Sequence, residues 1–193
     1  MSQIAQNLEE VRRHLAAAAQ RAGRDPAAVR LVAVSKTVPV ELIRQAVAAG
    51  QRLFGENYLQ EARGKIEALG EAASWHFIGH LQSNKAKAAV GLFELIHGVD
   101  RLTLAQAQDS AAASTETIQK ILIQVNLAGE TSKSGASPEA APELLRQING
   151  LAHLRLMGLM TMPPLLSPEA VRPYFRALRE VSCCARKRLR AIP

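Results

Sequence analysis

The chain has 193 residues, of which 48% are hydrophobic and 21% charged, and its formal net charge is +7. These values are typical of a folded domain with its own core and exclude a disordered or fibrous chain. No apolar run reaches the ~18 residues that a membrane-spanning helix needs, and residues 1–15 lack the apolar segment of a signal peptide. The two cysteines are adjacent, as suits a reducing compartment, so we predict a cytoplasmic protein.

The predicted elements begin with a helix over residues 4–22, where apolar side chains recur at helical spacing and Gly23 follows. Short apolar runs and helical patterns then alternate along the chain. The predicted strands cover residues 29–35, 52–57, 74–80, 92–99, 119–127 and 154–162. The predicted helices cover residues 39–50, 58–69, 83–90, 100–113, 137–149 and 167–187. Ser137 is expected to cap the 137–149 helix, with Pro138 at its first position.

This alternation predicts a parallel sheet with helices outside it. Two architectures fit the pattern, an open doubly wound sheet and a closed (β/α) barrel. Neither GxGxxG nor GxxxxGK[ST] follows the first strand, which weakens the nucleotide-binding forms of the open sheet. A complete barrel has eight units and about 250 residues, so a barrel formed by this sequence would stop after about six units.

Ligands bind at the carboxyl ends of the strands in both architectures, and Lys36 stands at the first of these ends. A solvated charge at the rim is the plainest interpretation of this lysine. The apolar run before it suggests instead that its stem leaves a dry environment, which would favour the neutral, nucleophilic amine of Schiff-base chemistry. The strand ends together carry no paired carboxylates of the glycosidase type and no cysteine nucleophile.

His76 and His80 stand four residues apart, which on a helix would suggest a metal pair. The pattern WHFIGH predicts a strand, where positions i and i+4 are about 13 Å apart and cannot share one metal ion. We therefore predict no metal site. His80 falls at the ligand end of the strand, whereas His76 is interpreted as a structural residue.

Two further segments allow binding functions. The loop at residues 129–135 has small polar side chains between two glycines and could cradle an anion. Residues 166–193 carry seven basic and two acidic side chains, the footprint of a nucleic-acid surface. No aromatic residue interleaves with the basic run at 186–190 to stack on bases, so a solvated helix face with a basic tail is the favoured interpretation.

Taken together, the strand-end segments resemble one family. They occur in order over roughly residues 5–180, and WHFIGHLQSNK is the most specific of them. The segments are AVSKT (33–37), LFGENYLQEA (53–62), WHFIGHLQSNKAK (75–87), GVDR (98–101), ILIQVNLAGETSKSG (121–135) and GLMTMPP (158–164). The sequence is similar to the pyridoxal phosphate homeostasis proteins, which bind pyridoxal 5′-phosphate (PLP) and are related to the N-terminal barrel domain of alanine racemase.

The resemblance implies an α/β fold, the alanine-racemase-like (β/α)8 TIM barrel, with residues 1–193 forming a single domain. It implies that Lys36 forms a Schiff base with the aldehyde of PLP. It places Asn57 and His80, at the next two strand ends, beside the cofactor ring, and Met160 in the wall of the pocket. The implied role is to buffer PLP or deliver it to PLP-dependent apo-enzymes, without catalytic residues or turnover.

The resemblance ends near residue 180, where an atypical basic tail (181–193) replaces the family-like helix. In the family, a seventh and an eighth strand follow, with loops that hold the cofactor phosphate. A barrel without these two strands is expected to bind PLP weakly and to associate with itself through its open edges. One hypothesis for the tail is a change of reading frame near Val181, which the downstream nucleotide sequence tests.

Three other functions stay open at the level of sequence. A PLP-dependent amino-acid racemase would need a second base, which alanine racemases take from a tyrosine of a C-terminal domain, and the tyrosines here are Tyr58 and Tyr174. A basic binding module acting through the C-terminal arginines would bind with steep salt dependence. An inactive truncated product with weak cofactor binding is the third alternative.

Overall fold

A computed structural model describes residues 2–130 and 133–190, with residues 184–190 described by their backbone alone. Thr131 and Ser132 of the predicted anion loop lie outside the described residues, as do the basic side chains of 186–190. The chain divides into two compact units, Met1–His76 and Phe77–Pro193, and the division falls inside a strand. The prediction of a single domain over residues 1–193 stays a prediction.

In the first unit, strands and helices alternate after a long leading helix. The helices are α1 (Gln3–Arg21), α2 (Val40–Ala48) and α3 (Leu59–Leu69), with 3-10 turns at Pro26–Ala28 and Gly70–Ala72. The strands are β1 (Ala33–Val34), β2 (Leu53–Glu56) and the start of β3 (Ser74–Phe77). Strands β1 and β2 pair in parallel, with Val34 opposite Gly55.

The core of the first unit forms where α2, α3 and β2 bury their apolar sides. Ile43 and Ala46, three residues apart on α2, are buried, as helical periodicity requires of a face packed on a sheet. Phe54 of β2 lies against Trp75 of β3, with ring centroids 5.4 Å apart. Aromatic burial of this kind contributes strongly to stability and fixes β2 against β3.

The second unit continues the alternation. Its helices are α4 (Ala86–Ala89) after a 3-10 turn at Ser83–Lys85, α5 (Leu102–Ser114), α6 (Ala141–Asn149) and α7 (Pro168–Arg190). Its strands are β4 (Leu95–Val99), β5 (Gln119–Gln124) and β6 (Leu154–Met160), and β5 pairs in parallel with both of the others. Ile121 and Ile123, which lie on the same face of β5, are fully buried.

The structure confirms the predicted alternation of parallel strands and helices, but several boundaries differ. Strand β1 has two residues instead of the seven predicted at 29–35. The expected cap of the 137–149 helix is wrong, because α6 begins at Ala141. Ser137 instead closes the preceding turn, where its Oγ accepts from Ala140 N–H (3.2 Å). Pro142 occupies the first turn of α6, where its missing N–H removes no helical hydrogen bond.

None of the helices in the described part of the chain is both long enough and apolar enough to cross a bilayer.

Gly98 of β4 lies close to the backbone of Gly79. A Cβ atom at position 98 would stand 2.7 Å from Gly79 O, and a carbonyl of the main chain cannot swing aside as a flexible side chain can. Gly98→Ala is therefore expected to lower the free energy of unfolding by about 1–3 kcal/mol, measured by urea unfolding.

The matched control for this change is Gly64→Ala. Gly64 lies inside α3 with no described atom within 4 Å of its would-be Cβ. The same substitution there is expected to raise stability by about 0.5–1 kcal/mol, since alanine restricts the unfolded chain. A Gly98→Ala protein as stable as the wild type would contradict the close approach.

Candidate functional site

Lys36 lies in a tight turn directly after β1. Ser35 N–H donates to Gly55 O (3.0 Å), which extends the pairing with β2 by one residue. Val38 N–H then donates to Ser35 O (3.0 Å), and Thr37 takes up a positive φ of 61°. A positive φ is costly for a β-branched residue, so other contacts must hold this turn.

The expectation that Lys36 leaves a dry environment is wrong. Val34 is 54% exposed and Lys36 is exposed, whereas Ser35 between them is only 3% exposed. Successive side chains of an extended segment point to opposite sides, so the burial of Ser35 turns both of its neighbours outward. Among the described residues Lys36 Nζ has neither a hydrogen bond nor an ion pair, and its amine is accessible to a ligand.

A charge cluster contacts this turn, formed by the buried Glu56 and Lys65 and the partly exposed Glu61, and is called the buried charge cluster below. Lys65 Nζ donates to Glu56 Oε1 (2.8 Å) and to Glu61 Oε1 (2.6 Å). Its third hydrogen bond goes to the main-chain oxygen of Ser35 (2.5 Å). The Glu56 and Lys65 side chains are 0% and 6% exposed, so solvent screens their interaction little.

The two carboxylates of the cluster also contact the turn. Glu56 Oε1 accepts from the Ser35 hydroxyl (2.6 Å), and Glu61 Oε1 accepts from Thr37 N–H (2.6 Å). The residues on both sides of Lys36 are thereby bound to one cluster.

The sequence interpretation missed this cluster, although two signals were present. Glu56 ends the apolar strand LFGE, where a carboxylate is out of place unless it has a buried partner. Glu61 and Lys65 stand at i,i+4 spacing on α3, the spacing of a helical ion pair. Neither signal indicates that these residues contact the turn after β1.

The Glu61 carboxylate has a pKa below its ordinary range, first because Lys65 donates a hydrogen bond to it, and also because Thr37 N–H does so, while burial opposes the shift. A folded-state pKa below the unfolded value of about 4.3 stabilises the fold above that pH. The contribution is lost as the pH falls through the lower, folded-state value.

We expect the free energy of unfolding of the wild type to fall more steeply below about pH 5 than that of Glu61→Gln, which cannot take up a proton. Urea unfolding at a series of pH values measures both curves. Glu67→Gln, an exposed change on the same helix, is the control and should follow the wild type. Parallel curves for the wild type and Glu61→Gln would show that Glu61 titrates alike in the folded and unfolded states.

Asn57, the second predicted site residue, follows β2 directly and is half-buried. Val34 is the register partner of Gly55, so Lys36 and Asn57 both lie two residues beyond a matched pair. Both positions therefore follow the paired ends of two neighbouring parallel strands of the first unit.

His80 and His76 differ in environment. His80 is exposed in the second unit, and its Nδ1 lies 2.9 Å from the hydroxyl of Ser134. His76 is 3% exposed inside β3. Among the described side chains, no group of three or more His, Cys, Asp or Glu could hold a metal ion.

In the loop that follows β5, side-chain amides contact the main chain of the described residues 130, 133 and 134. Asn126 Nδ2 donates to Glu130 O (2.9 Å) and Lys133 O (3.2 Å). Gln124 Nε2 donates to Ser134 O (2.7 Å), next to the hydroxyl that meets His80. Glu130, Lys133 and Ser134 of this loop are thus contacted by Gln124, by Asn126 or by His80, through contacts that the sequence did not indicate.

Met160, the last predicted site residue, ends β6 and is half-buried. It is the register partner of Gln124, and its main-chain oxygen accepts from Val125 N–H (2.8 Å). In the second unit, β5 therefore carries both the neighbour of Met160 and the loop that contacts His80. Met160 and His80 lie in one unit, whereas Lys36 and Asn57 lie in the other.

Comparison with known proteins gives a consistent result. The family model for the alanine racemase N-terminal domain matches residues 3–192. A curated relative from Pseudomonas aeruginosa, a pyridoxal phosphate homeostasis protein, is 46% identical over 94% of this chain and 80% of its own length.

Solved structures agree with the sequence relatives. PipY of Synechococcus elongatus PCC7942, in a structure with PLP bound, is 34% identical with a TM-score of 0.82, covering 96% of this chain and 83% of its own. Alanine racemase of Corynebacterium glutamicum is 17% identical with a TM-score of 0.65 over 82% of this chain and 46% of its own, which shows the fold alone. The fold is thus the alanine-racemase-like α/β fold, and the chain belongs to the alanine racemase N-terminal domain family, among the pyridoxal phosphate homeostasis proteins.

Proposed function

We propose that this chain binds PLP covalently at Lys36 and holds it without turnover, as a carrier in intracellular PLP homeostasis. The observation that carries the proposal is the Lys36 turn, an accessible amine at a strand end whose flanking peptides are held by a buried charge cluster. The PLP-bound structure of PipY supports the choice of cofactor.

The chemistry that PLP supplies is an aldehyde, which joins a neutral primary amine through a C=N bond while its oxygen leaves as water. Lys36 supplies the amine in this proposal. Asn57 is proposed to lie beside the pyridine ring, as is His80, while Met160 supplies an apolar contact. These roles follow from the resemblance of the strand-end motifs.

The absence of turnover is part of the proposal. Racemisation needs a second base on the far side of the substrate, which alanine racemases take from a tyrosine. Tyr58 is 59% exposed beside the N-terminus of α3, and Tyr174 lies within α7. We therefore propose neither tyrosine as the second base. D- or L-alanine added to the PLP-loaded chain should therefore keep its optical rotation.

Partners and location follow from the same role. We propose that PLP-dependent apo-enzymes receive the cofactor, and that the chain acts in the cytoplasm. The exposed thiol of Cys183 is free, which suits a reducing compartment.

The experiment that tests the proposal maps the site of attachment. The purified chain is mixed with PLP, the C=N bond is reduced with borohydride to a stable secondary amine, and the peptides are identified by mass spectrometry. We expect the label on Lys36 in preference to the exposed Lys85 and Lys87. A label spread evenly over the exposed lysines would overturn the proposal.

A further inference from the structure

The two residues that flank Lys36 share one support. Lys65 binds the main-chain oxygen of Ser35, Glu56 binds its hydroxyl, and Glu61 binds the main-chain N–H of Thr37. The backbone on both sides of Lys36 is therefore held from a single helix and the end of β2.

The cluster is joined both within itself and to the turn. The three hydrogen bonds of Lys65 Nζ account for all three ammonium protons. Glu61 Oε1 accepts hydrogen bonds from Lys65 Nζ and from Thr37 N–H. Glu56 Oε1 accepts hydrogen bonds from Lys65 Nζ and from the Ser35 hydroxyl. The cluster makes three short contacts to the turn and is not an isolated ion pair.

Stability alone does not account for such a cluster. Burying charged groups costs desolvation energy, and apolar residues of similar volume often stabilise a core as well or better. A buried ammonium with two carboxylates is useful where a backbone segment must be kept in an unfavourable conformation. The turn that contains Lys36 includes such a conformation, because Thr37 has a φ of 61°.

We propose that Lys65 and Glu61 are positioning residues that fix the Lys36 turn and thereby set how fast and how selectively Lys36 captures an aldehyde. This inference rests on the proposed function, because it assumes that Lys36 is the attachment point. Glu61 acts through Thr37, and Lys65 acts through Ser35 and through Glu61. Neither residue touches the aldehyde itself.

The test uses Glu61, which is 28% exposed and can be changed without opening the core. Glu61→Ala removes the acceptor for Thr37 N–H, whereas Glu61→Gln keeps an amide oxygen at that place. Glu67→Ala removes an exposed carboxylate from the same helix and is the matched control.

The main readout is the initial rate of PLP labelling at Lys36 under borohydride, divided by the rate at Lys85 and Lys87 of the same molecules. This ratio cancels differences in protein concentration, and urea unfolding of each variant confirms that the labelled chains are folded. We expect Glu61→Ala to lower the ratio roughly tenfold, because a displaced nucleophile loses the benefit of fixed orientation. Glu61→Gln should stay within about threefold of the wild type, and Glu67→Ala should match it.

A second readout needs no cofactor. Amide hydrogen exchange at Thr37 should be about tenfold faster in Glu61→Ala than in the wild type, since its acceptor is gone. Faster exchange with an unchanged labelling ratio would overturn the positioning role, because the turn would then be loosened without effect on Lys36.

The two proposals fail in different ways. A wild-type chain without preferential label on Lys36 overturns the proposed function and, with it, the positioning role. A wild type labelled on Lys36 together with a Glu61→Ala chain labelled equally fast overturns the positioning role alone.

Discussion

Replacing Lys36 by alanine is expected to abolish covalent incorporation of PLP above the background of exposed lysines. Lys36 is the accessible amine whose neighbours are held by the buried cluster, and alanine leaves nothing to form the C=N bond. The fall in incorporation should be at least about tenfold, since a fixed amine reacts far faster than one free to move. Intact mass after borohydride reduction measures the number of cofactors bound per chain.

Two further variants separate chemistry from charge. Lys36→Arg keeps a positive charge at the same place, but a guanidinium is always protonated and does not condense with the aldehyde in this way. It should therefore be as inactive as Lys36→Ala. Lys85→Ala removes an exposed amine and should leave incorporation unchanged. Normal incorporation in Lys36→Arg would show that the attachment point lies elsewhere.

Replacing Lys65 by methionine is expected to lower the free energy of unfolding by about 3–5 kcal/mol. Methionine has a similar length but leaves Glu56, which is 0% exposed, with no cation beside it. The oxygen of Ser35 loses one of its two donors at the same time and keeps Val38 N–H. Urea unfolding measures the change, with Lys87→Met on an exposed position as control, where the expected effect is within about 0.5 kcal/mol.

The double variant Glu56→Gln, Lys65→Met identifies the cause of this loss. Removing the buried negative charge together with the positive one should recover part of the stability, because the unpaired carboxylate is the main penalty. A double variant less stable than Lys65→Met alone would show that the lost hydrogen bonds, and not the unpaired charge, dominate.

The order of strands and helices could be predicted from the sequence, because it depends on local periodicity. Apolar runs such as the one at residues 121–125 predict a strand buried on both faces, and β5 forms there with Ile121 and Ile123 buried but Lys120 and Leu122 half-buried. Boundaries were less accurate. The apolar run at residues 29–34 predicts a long strand, yet β1 has two residues. A strand extends only as far as its backbone pairs with a neighbour, and the register pairs of β1 with β2 are those of Ala33 and Val34.

The candidate site was predicted in part. Strand-end position and motif led to Lys36, Asn57, His80 and Met160, and the structure places each at or just beyond the end of a strand. The motif could not show that Ser134 meets His80, since the two are 54 residues apart in the chain.

The sequence by itself determined the family, the parallel α/β architecture and the position of Lys36 after the first strand, because motifs and periodic patterns are read from residues close together in the chain. Only the tertiary structure decided that Lys36 is exposed and that its turn rests on Glu56, Glu61 and Lys65. Lys65 meets the oxygen of Ser35 across 30 residues of chain, and Glu56 meets its hydroxyl across 21. Contacts over such separations depend on how a helix packs beside two strand ends, and no local pattern encodes that packing.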